Sequence, residues 1–162
     1  MIAAPPALHP WPIGAGSRYH PAAANAAVRD GRPVGRLLCA RGHRFQVHVE
    51  LFARREVAIL PAGIGVARSG CRYPLSTAAP TGVVDVAARG SFTLGDLFRV
   101  WGRRLGPSAL LSFRGCVAVF VGGRPLRGDP RRVALTPYAQ IVLEIGGHVA
   151  PHASFLFPKG AP

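Results

Sequence analysis

His48, Glu50 and Asp85 are the side chains in this sequence whose types and placement best suit acid–base or binding chemistry. His48 and Glu50 stand two residues apart in a stretch of alternating apolar residues, so a strand would place both on one polar face. Ser76 and Thr77 add hydroxyl groups in a turn shortly before Asp85. We take these five residues as the candidate binding residues.

Catalytic use of these side chains finds little support in their spacing. A nucleophilic triad needs a Ser or Cys beside a His that a carboxylate orients, and the sequence has no GxSxG motif. We therefore predict no catalytic residue. A small hydrolase-like enzyme that uses His48 and Asp85 as an acid–base pair is kept as an alternative hypothesis. Beside Gln46 and Glu50, His48 is interpreted as a solvated side chain that pairs with Glu50. The alternative is that His48 is a metal ligand.

Alternation of apolar and polar residues predicts the strand that positions His48. Every second residue from Phe45 to Leu51 is apolar, which is typical of a half-buried strand. Ala53-Arg54-Arg55 would turn the chain into a second strand over residues 56–60, and residues 82–86 predict a third short strand.

One helix is predicted after these strands. Thr93 and Asp96 form a capping-box start, and apolar residues recur at helical spacing as far as Leu105, before Gly106-Pro107 ends the helix.

A second hairpin is predicted from residues 116–121 and the Gly122-Gly123 turn, and residues 140–145 predict the last strand. The order of hairpin, strand, helix and hairpin indicates an α+β fold. We expect a small, mostly antiparallel or mixed sheet with one packed helix, in a β-grasp-like arrangement.

The two ends of the chain differ from this middle part. Residues 1–33 are rich in Pro and Ala, which predicts a disordered or loosely packed arm. Residues 34–150 are expected to form a single domain, and residues 151–162 a tail that folds back or stays loose.

No apolar run approaches the ~18 residues of a membrane span. The first residues lack the charged and apolar regions of a signal peptide, so we expect a cytoplasmic protein as encoded.

The net charge of +13 would ordinarily indicate a nucleic acid or anionic surface as partner. Of the 20 basic residues 19 are Arg, in a sequence rich in Ala, Gly and Pro, as a GC-rich genome would encode. The arginines are also scattered rather than clustered. We therefore expect a dispersed, solvated surface and keep nucleic-acid or anionic-surface binding as the alternative.

Three cysteines, Cys39, Cys71 and Cys116, show no CxxC spacing, which excludes a zinc knuckle or thioredoxin motif. One disulfide and three buried thiols both fit this number. Cys116 is expected in the core, because it stands in an apolar strand.

Three stretches of the sequence resemble, in order, a family of small bacterial domains without an assigned activity. They are PAGIGVARSGCRYPLSTAAPTGVVDV, FTLGDLFRVWG and VAVFVGGRPLRGDPRRVALTPYAQIVLEIG. The resemblance covers residues 34–157. Members of the family often follow a secretion signal or membrane anchor, which implies an extracytoplasmic location if the true start lies upstream.

The family pattern is rich in histidine at two places that have changed in this chain. The His-x-His-x-His of its first strand corresponds to Arg44, Gln46 and His48 in this chain. Its His-Thr-His-Asp turn corresponds to residues 76–79, and a histidine in its next strand corresponds to Asp85. Imidazoles in such positions can hold zinc, copper or nickel. The resemblance therefore implies a degenerate metal site, and we predict no bound transition metal and no cofactor.

Cys39 and Cys71 occupy positions where the family pattern has cysteine, so the resemblance implies a disulfide in an exported protein, with two free thiols as the alternative. The leading functional hypothesis is a non-enzymatic accessory or ligand-binding domain that acts on another protein or a small ligand.

Overall fold

The computed structural model describes Leu8–His9 and residues 31–157. The predicted N-terminal arm falls outside the described residues except for Leu8–His9 and residues 31–33, and the predicted tail falls outside them from residue 158 onward. The strands are β1 (Leu8–His9), β2 (Arg44–Ala53), β3 (Glu56–Ala58), β4 (Leu75–Ser76), β5 (Val83–Ala87), β6 (Leu105–Gly106), β7 (Ala109–Leu110), β8 (Phe113–Arg114), β9 (Val117–Val121), β10 (Arg124–Leu126) and β11 (Gln140–Ile145).

The main sheet has the strand order β1-β3-β2-β11-β9-β10, and β5 joins it by pairing with β2 and β4. β2 and β11 run parallel, whereas the other neighbours are antiparallel. The last long strand thus lies between the two hairpins, with the helix in the connection that links them. This mixed sheet confirms the predicted α+β class and has a β-grasp-like order.

The helix α1 (Leu94–Trp101) begins as the sequence predicts but ends earlier. Thr93 and Asp96 form the capping box, with each side chain bonded to the backbone of the other residue. The predicted continuation to Leu105 is wrong, because Gly102 adopts the left-handed conformation, with φ 73°, and its N–H bonds to the carbonyls of Arg99 and Phe98. Leu105 instead starts β6.

A second, three-stranded sheet in the order β6-β7-β8 was not predicted. Each of its strands has two residues, which is too short to show alternation. Cys116 follows this sheet and is exposed, so its predicted core position is wrong. The apolar strand β9 starts one residue later, at Val117, and Cys116 lies in the preceding connection.

The main sheet is covered on both faces. Val47, Val49 and Leu51 of β2 pack with Leu97 and Trp101 of the helix in the main core. On the opposite face a smaller apolar cluster consists of Phe52, Val57, Ile59 and Val142, with Phe120 and Val149 against it. The side chains of β2 that were expected in solvent therefore lie beneath a second layer.

Cys39 and Cys71 form a disulfide, the pairing that the resemblance implied. It joins the segment before β2 to the loop before β4, and the backbones of Leu38 and Arg72 exchange two hydrogen bonds of 2.8 and 2.9 Å beside it. The disulfide therefore fixes two long connections against each other, and the two cysteines are 32 positions apart in sequence.

Candidate functional site

The candidate site lies on the face of the sheet opposite to the helix, which we call the polar face and define by Gln46, His48, Glu50, Asp85 and Gln140. The parallel register pairs Gln140 of β11 with His48 of β2, and the antiparallel register pairs Asp85 of β5 with Gln46. Because side chains alternate along strands, these registers place the five polar residues on one face.

His48 is enclosed on every side. Its side chain is 0 % exposed, with Nδ1 2.6 Å from Oε1 of Gln140 and Nε2 2.9 Å from the carbonyl oxygen of Thr81. Phe155 stacks on the imidazole at a centroid distance of 3.6 Å and an interplanar angle of 13°. A Cβ on Gly82 would lie 2.8 Å from Nε2, so the chain can pass this close to the imidazole at the start of β5 because residue 82 is a glycine.

The neighbours of His48 suit a neutral ring. Burial lowers the pKa of His48 from 6.5 to about 4, although its hydrogen bond to the Thr81 carbonyl opposes this shift. A neutral imidazole donates from one nitrogen only, and Nε2–H donates to the Thr81 carbonyl. Nδ1 then accepts from Gln140 when the amide is turned to present its Nε2, a group that otherwise has no hydrogen-bond partner in the described part of the chain.

Glu50 is the second buried ionisable group of the polar face, and it is 0 % exposed. His152 Nδ1 lies 2.8 Å and 3.1 Å from the two carboxylate oxygens, and His48 Nδ1 lies 3.9 Å from one of them. Burial raises the pKa of Glu50 above its usual 4.5, partly opposed by the hydrogen bond with His152. The pair therefore joins β2 to the C-terminal part of the chain.

The expectation that His48 is solvated is wrong, because residues 148–157 lie over it and over Glu50. We call residues 148–157 the covering segment. A similar contact anchors its start, where His148 Nδ1 lies 2.9 Å from Oε2 of Glu144. At the β9–β10 turn, a Cβ on Gly123 would meet Cβ of Ala153 at 2.9 Å, so this glycine allows the segment to approach closely.

Asp85 is bound by side chains other than His48. Its carboxylate accepts from Gln46 Nε2 at 3.1 Å and from Arg72 Nη1 at 3.4 Å. Ser76 pairs with Asp85 in the β4–β5 ladder, and its buried Oγ has no hydrogen-bond partner among the described residues. Gln46, Ser76 and Asp85, which the resemblance places in the histidine-rich positions, are thus brought together by strand register.

Thr77 faces away from this group and holds the PAGIG turn. Its Oγ1 donates to the carbonyl of Pro61 at 2.7 Å and accepts from the N–H of Ile64 at 3.0 Å. Thr77 is 1 % exposed. Its role is therefore to satisfy the buried backbone of residues 61–64, and its candidate role in binding is not supported by its position.

Three residues at this site escaped the sequence prediction: Gln140, His152 and Phe155. Gln140 stood in a correctly predicted strand, and its parallel pairing with β2 is what places it beside His48. His152 and Phe155 lie in a segment without regular secondary structure. Their signal in the sequence is one imidazole and two aromatic rings in a proline-containing tail.

The side chains that the structure describes do not converge on a metal centre. Within Leu8–His9 and residues 31–157, no group of three or more His, Cys, Asp or Glu side chains is arranged to hold a metal ion. In the same part of the chain, no helix is both long and apolar enough to cross a membrane.

No family model matches the chain, and neither a curated protein nor a solved structure is significantly similar to it.

Proposed function

We propose that this protein is a non-enzymatic ligand-binding or accessory domain, and that the polar face of its sheet binds an extended peptide segment. The observation that carries the proposal is the position of the covering segment, which contacts the face through side chains. His152 pairs with Glu50 and Phe155 stacks on His48, so an imidazole and an aromatic ring three residues apart occupy two adjoining positions on β2.

The contacts of the covering segment indicate the chemistry that the face accepts. Phe155 and Phe157 meet edge to face at 5.0 Å, and Phe157 meets Tyr138 at 5.2 Å. A cavity of about 360 Å³ remains between these rings, Gln140 and Thr136. The ligand is therefore a peptide that offers aromatic side chains and a hydrogen-bond donor for Glu50.

An acid–base role for His48 and Asp85 has less support. The two side chains lie on the same face, but each is held by other partners: His48 by Gln140 and Thr81, and Asp85 by Gln46 and Arg72. A general base needs access to the proton it removes, and Phe155 covers the ring of His48.

A degenerate metal site also agrees with the contacts at the positions of the family histidines. Arg44 donates to the carbonyls of Tyr73 and Pro74 at 3.0 and 3.2 Å, and Gln46 donates to Asp85. Arg44 and Gln46 thus bind protein groups at these positions.

The peptide HVAPHASFLF, which has the sequence of residues 148–157, tests the proposal. In the wild type the attached segment competes with it at an effective concentration of order millimolar. We expect the double variant His152→Ala/Phe155→Ala of the full chain, with its own segment weakened, to bind the free peptide at least about ten-fold more tightly than the wild type. Isothermal titration calorimetry measures both affinities.

A triple variant that adds Glu50→Gln supplies the control. It removes the charge that pairs with His152, so the peptide should bind it more weakly than the double variant, while circular dichroism confirms that the fold is kept. The proposal is wrong if the double variant shows no binding of the peptide, or if the affinity does not respond to Glu50→Gln.

Binding of an anionic polymer is the second candidate, and one observation favours it. Arg99, Arg103, Arg104 and Arg131 line a cavity of about 360 Å³ beside the helix. Arg131 is bonded to Asp129, which leaves the other three arginines without an ion pair among the described residues. Together with the net charge of +13, this surface attracts polyanions.

Retention on heparin in a salt gradient tests the second candidate. Loss of two of these charges in Arg103→Gln/Arg104→Gln should move elution to lower salt if the cavity is the contact surface. Unchanged elution of the variant would assign retention to the overall charge of the protein.

A further inference from the structure

The two-residue turn between β2 and β3 consists of Arg54 and Arg55, both in the left-handed conformation with φ 54° and 68°. A two-residue hairpin turn of this kind strongly favours Asn-Gly, because residues with large side chains are strained at positive φ. Two arginines therefore occupy the positions where the backbone favours them least. Such strain indicates that the side chains serve a purpose that the turn itself does not require.

A glycine pair after β11 makes room for both arginine side chains. A Cβ on Gly146 would lie 3.4 Å from Cγ of Arg54, and a Cβ on Gly147 would lie 3.0 Å from Cγ of Arg55. The aliphatic parts of the arginines thus lie over the Gly146-Gly147 turn. The N–H of Arg54 also donates to the carbonyl of Ile145 at 2.8 Å, which fixes the turn against the end of β11.

A cavity of about 440 Å³ adjoins this turn, lined by Arg54, Ser112, Phe113, Arg114, Ile145 and Gly146. The Arg54 guanidinium carbon lies 5.5 Å from the ring centroid of Phe113, which limits the positions of the side chain. Among the described residues, Arg54, Arg55 and Arg114 form no ion pair, and Glu56, the nearest acid in sequence, does not bind them.

We propose that this cavity is a binding site for a phosphoryl oxyanion. The guanidinium groups of Arg54 and Arg114 bind two of its oxygens, Ser112 donates its hydroxyl, and Arg55 adds positive charge at the rim. Guanidinium groups suit this ligand because their planar N–H pairs match the geometry of phosphate oxygens. The site shares no residue with the polar face, so it does not depend on the proposed peptide binding.

Calorimetry with pyrophosphate on the full chain tests the site. The wild type should bind pyrophosphate, and the variants Arg114→Gln and Arg54→Asn/Arg55→Gly should each bind it about ten-fold more weakly or worse. The turn variant should also melt roughly 2–4 °C higher, because Asn-Gly relieves the strain. Weaker binding together with higher thermal stability is the combination that a purely structural role of the arginines does not produce.

The exposed pair Arg124 and Arg127 supplies the matched control, since Arg124→Gln/Arg127→Gln removes the same charge elsewhere and should keep the affinity within about two-fold. Octathymidylate distinguishes the source of the phosphoryl group: binding of pyrophosphate alone supports a terminal phosphoryl ligand, and binding of both supports a phosphodiester backbone. The proposal is overturned if the wild type binds neither probe, if Arg114→Gln binds as the wild type does, or if the control variant loses as much affinity as the site variants.

Discussion

The imidazole of His48 and the phenyl ring of Phe155 lie nearly parallel, with centroids 3.6 Å apart. His48 belongs to the central strand β2, whereas Phe155 belongs to the covering segment near the end of the described chain. This stack converts a polar strand face into a buried one. It also makes the ionisation of His48 depend on whether the covering segment is in place.

Replacement of Phe155 by alanine should restore part of the hydration of His48. Because burial is the main cause of its low pKa, the pKa of His48 should rise toward 6.5 in Phe155→Ala. Histidine resonances followed by NMR through a pH titration measure the change. Leu156→Ala is the control, since Leu156 is 71 % exposed, and an equal shift in that variant would contradict the role of the stack.

The pKa of about 4 for His48 predicts a loss of stability in acid. The unfolded chain binds a proton at His48 with a pKa of 6.5, so between pH 6.5 and pH 4 the unfolded state carries more of this proton. Acidification through this window should lower the free energy of unfolding, by up to about 3 kcal/mol. Urea denaturation across this range should show the loss in the wild type and a smaller one in His48→Gln.

Glu50 changes the free energy of unfolding with pH in the opposite direction to His48. Its pKa is raised in the folded protein, so its contribution to stability is present below pH 4.5 and is lost as the pH rises through the folded pKa. The comparison of the wild type with His48→Gln isolates the contribution of His48 to the pH dependence of stability, because Glu50 is present in both proteins. Parallel pH profiles for the two proteins would contradict the buried, neutral imidazole.

Zinc and copper should not bind stoichiometrically at neutral pH. Within the described part of the chain no three metal-ligating side chains converge, and sites with fewer protein ligands bind weakly. Calorimetry of the purified protein measures this directly. Micromolar or tighter binding that disappears in His48→Ala would show that a metal site survives.

The disulfide between Cys39 and Cys71 should stabilise the fold by about 3–4 kcal/mol, because it closes a long loop in the unfolded chain. Urea denaturation of Cys39→Ser/Cys71→Ser against the wild type measures the difference. Cys116→Ser, which changes an exposed free cysteine, should have little effect. An intact mass that does not rise by two hydrogens on reduction would show that the bond is absent from the purified protein.

Thr77→Val should destabilise the protein by about 1–3 kcal/mol, because it leaves the carbonyl of Pro61 and the N–H of Ile64 without their buried partner. Thermal denaturation measures the loss. Thr136 is exposed, and Thr136→Val is the matched control. Equal melting temperatures for the two variants would show that the Thr77 hydroxyl does not hold the turn.

Local sequence signals predicted the parts of the fold that depend on neighbours in the chain. Thr93 and Asp96 form the capping box because their spacing alone brings them together. Gly122 and Gly123 form the turn at positive φ that glycine adopts without strain. β11 spans the predicted residues 140–145, since its apolar composition is distinct from its surroundings. The helix end was missed because apolar spacing continued past Gly102, whose left-handed conformation decides the boundary.

The sequence by itself thus determined the α+β class, the main strands and the start of the helix, because alternation, capping and turn chemistry act within a few residues. Only the tertiary structure decided the environment of the candidate site. His48 meets Gln140 through the parallel pairing of two strands far apart in sequence, and it meets Phe155 through a segment without periodicity. Burial and the pKa of a side chain depend on what packs over it, and no local pattern in β2 records that partner.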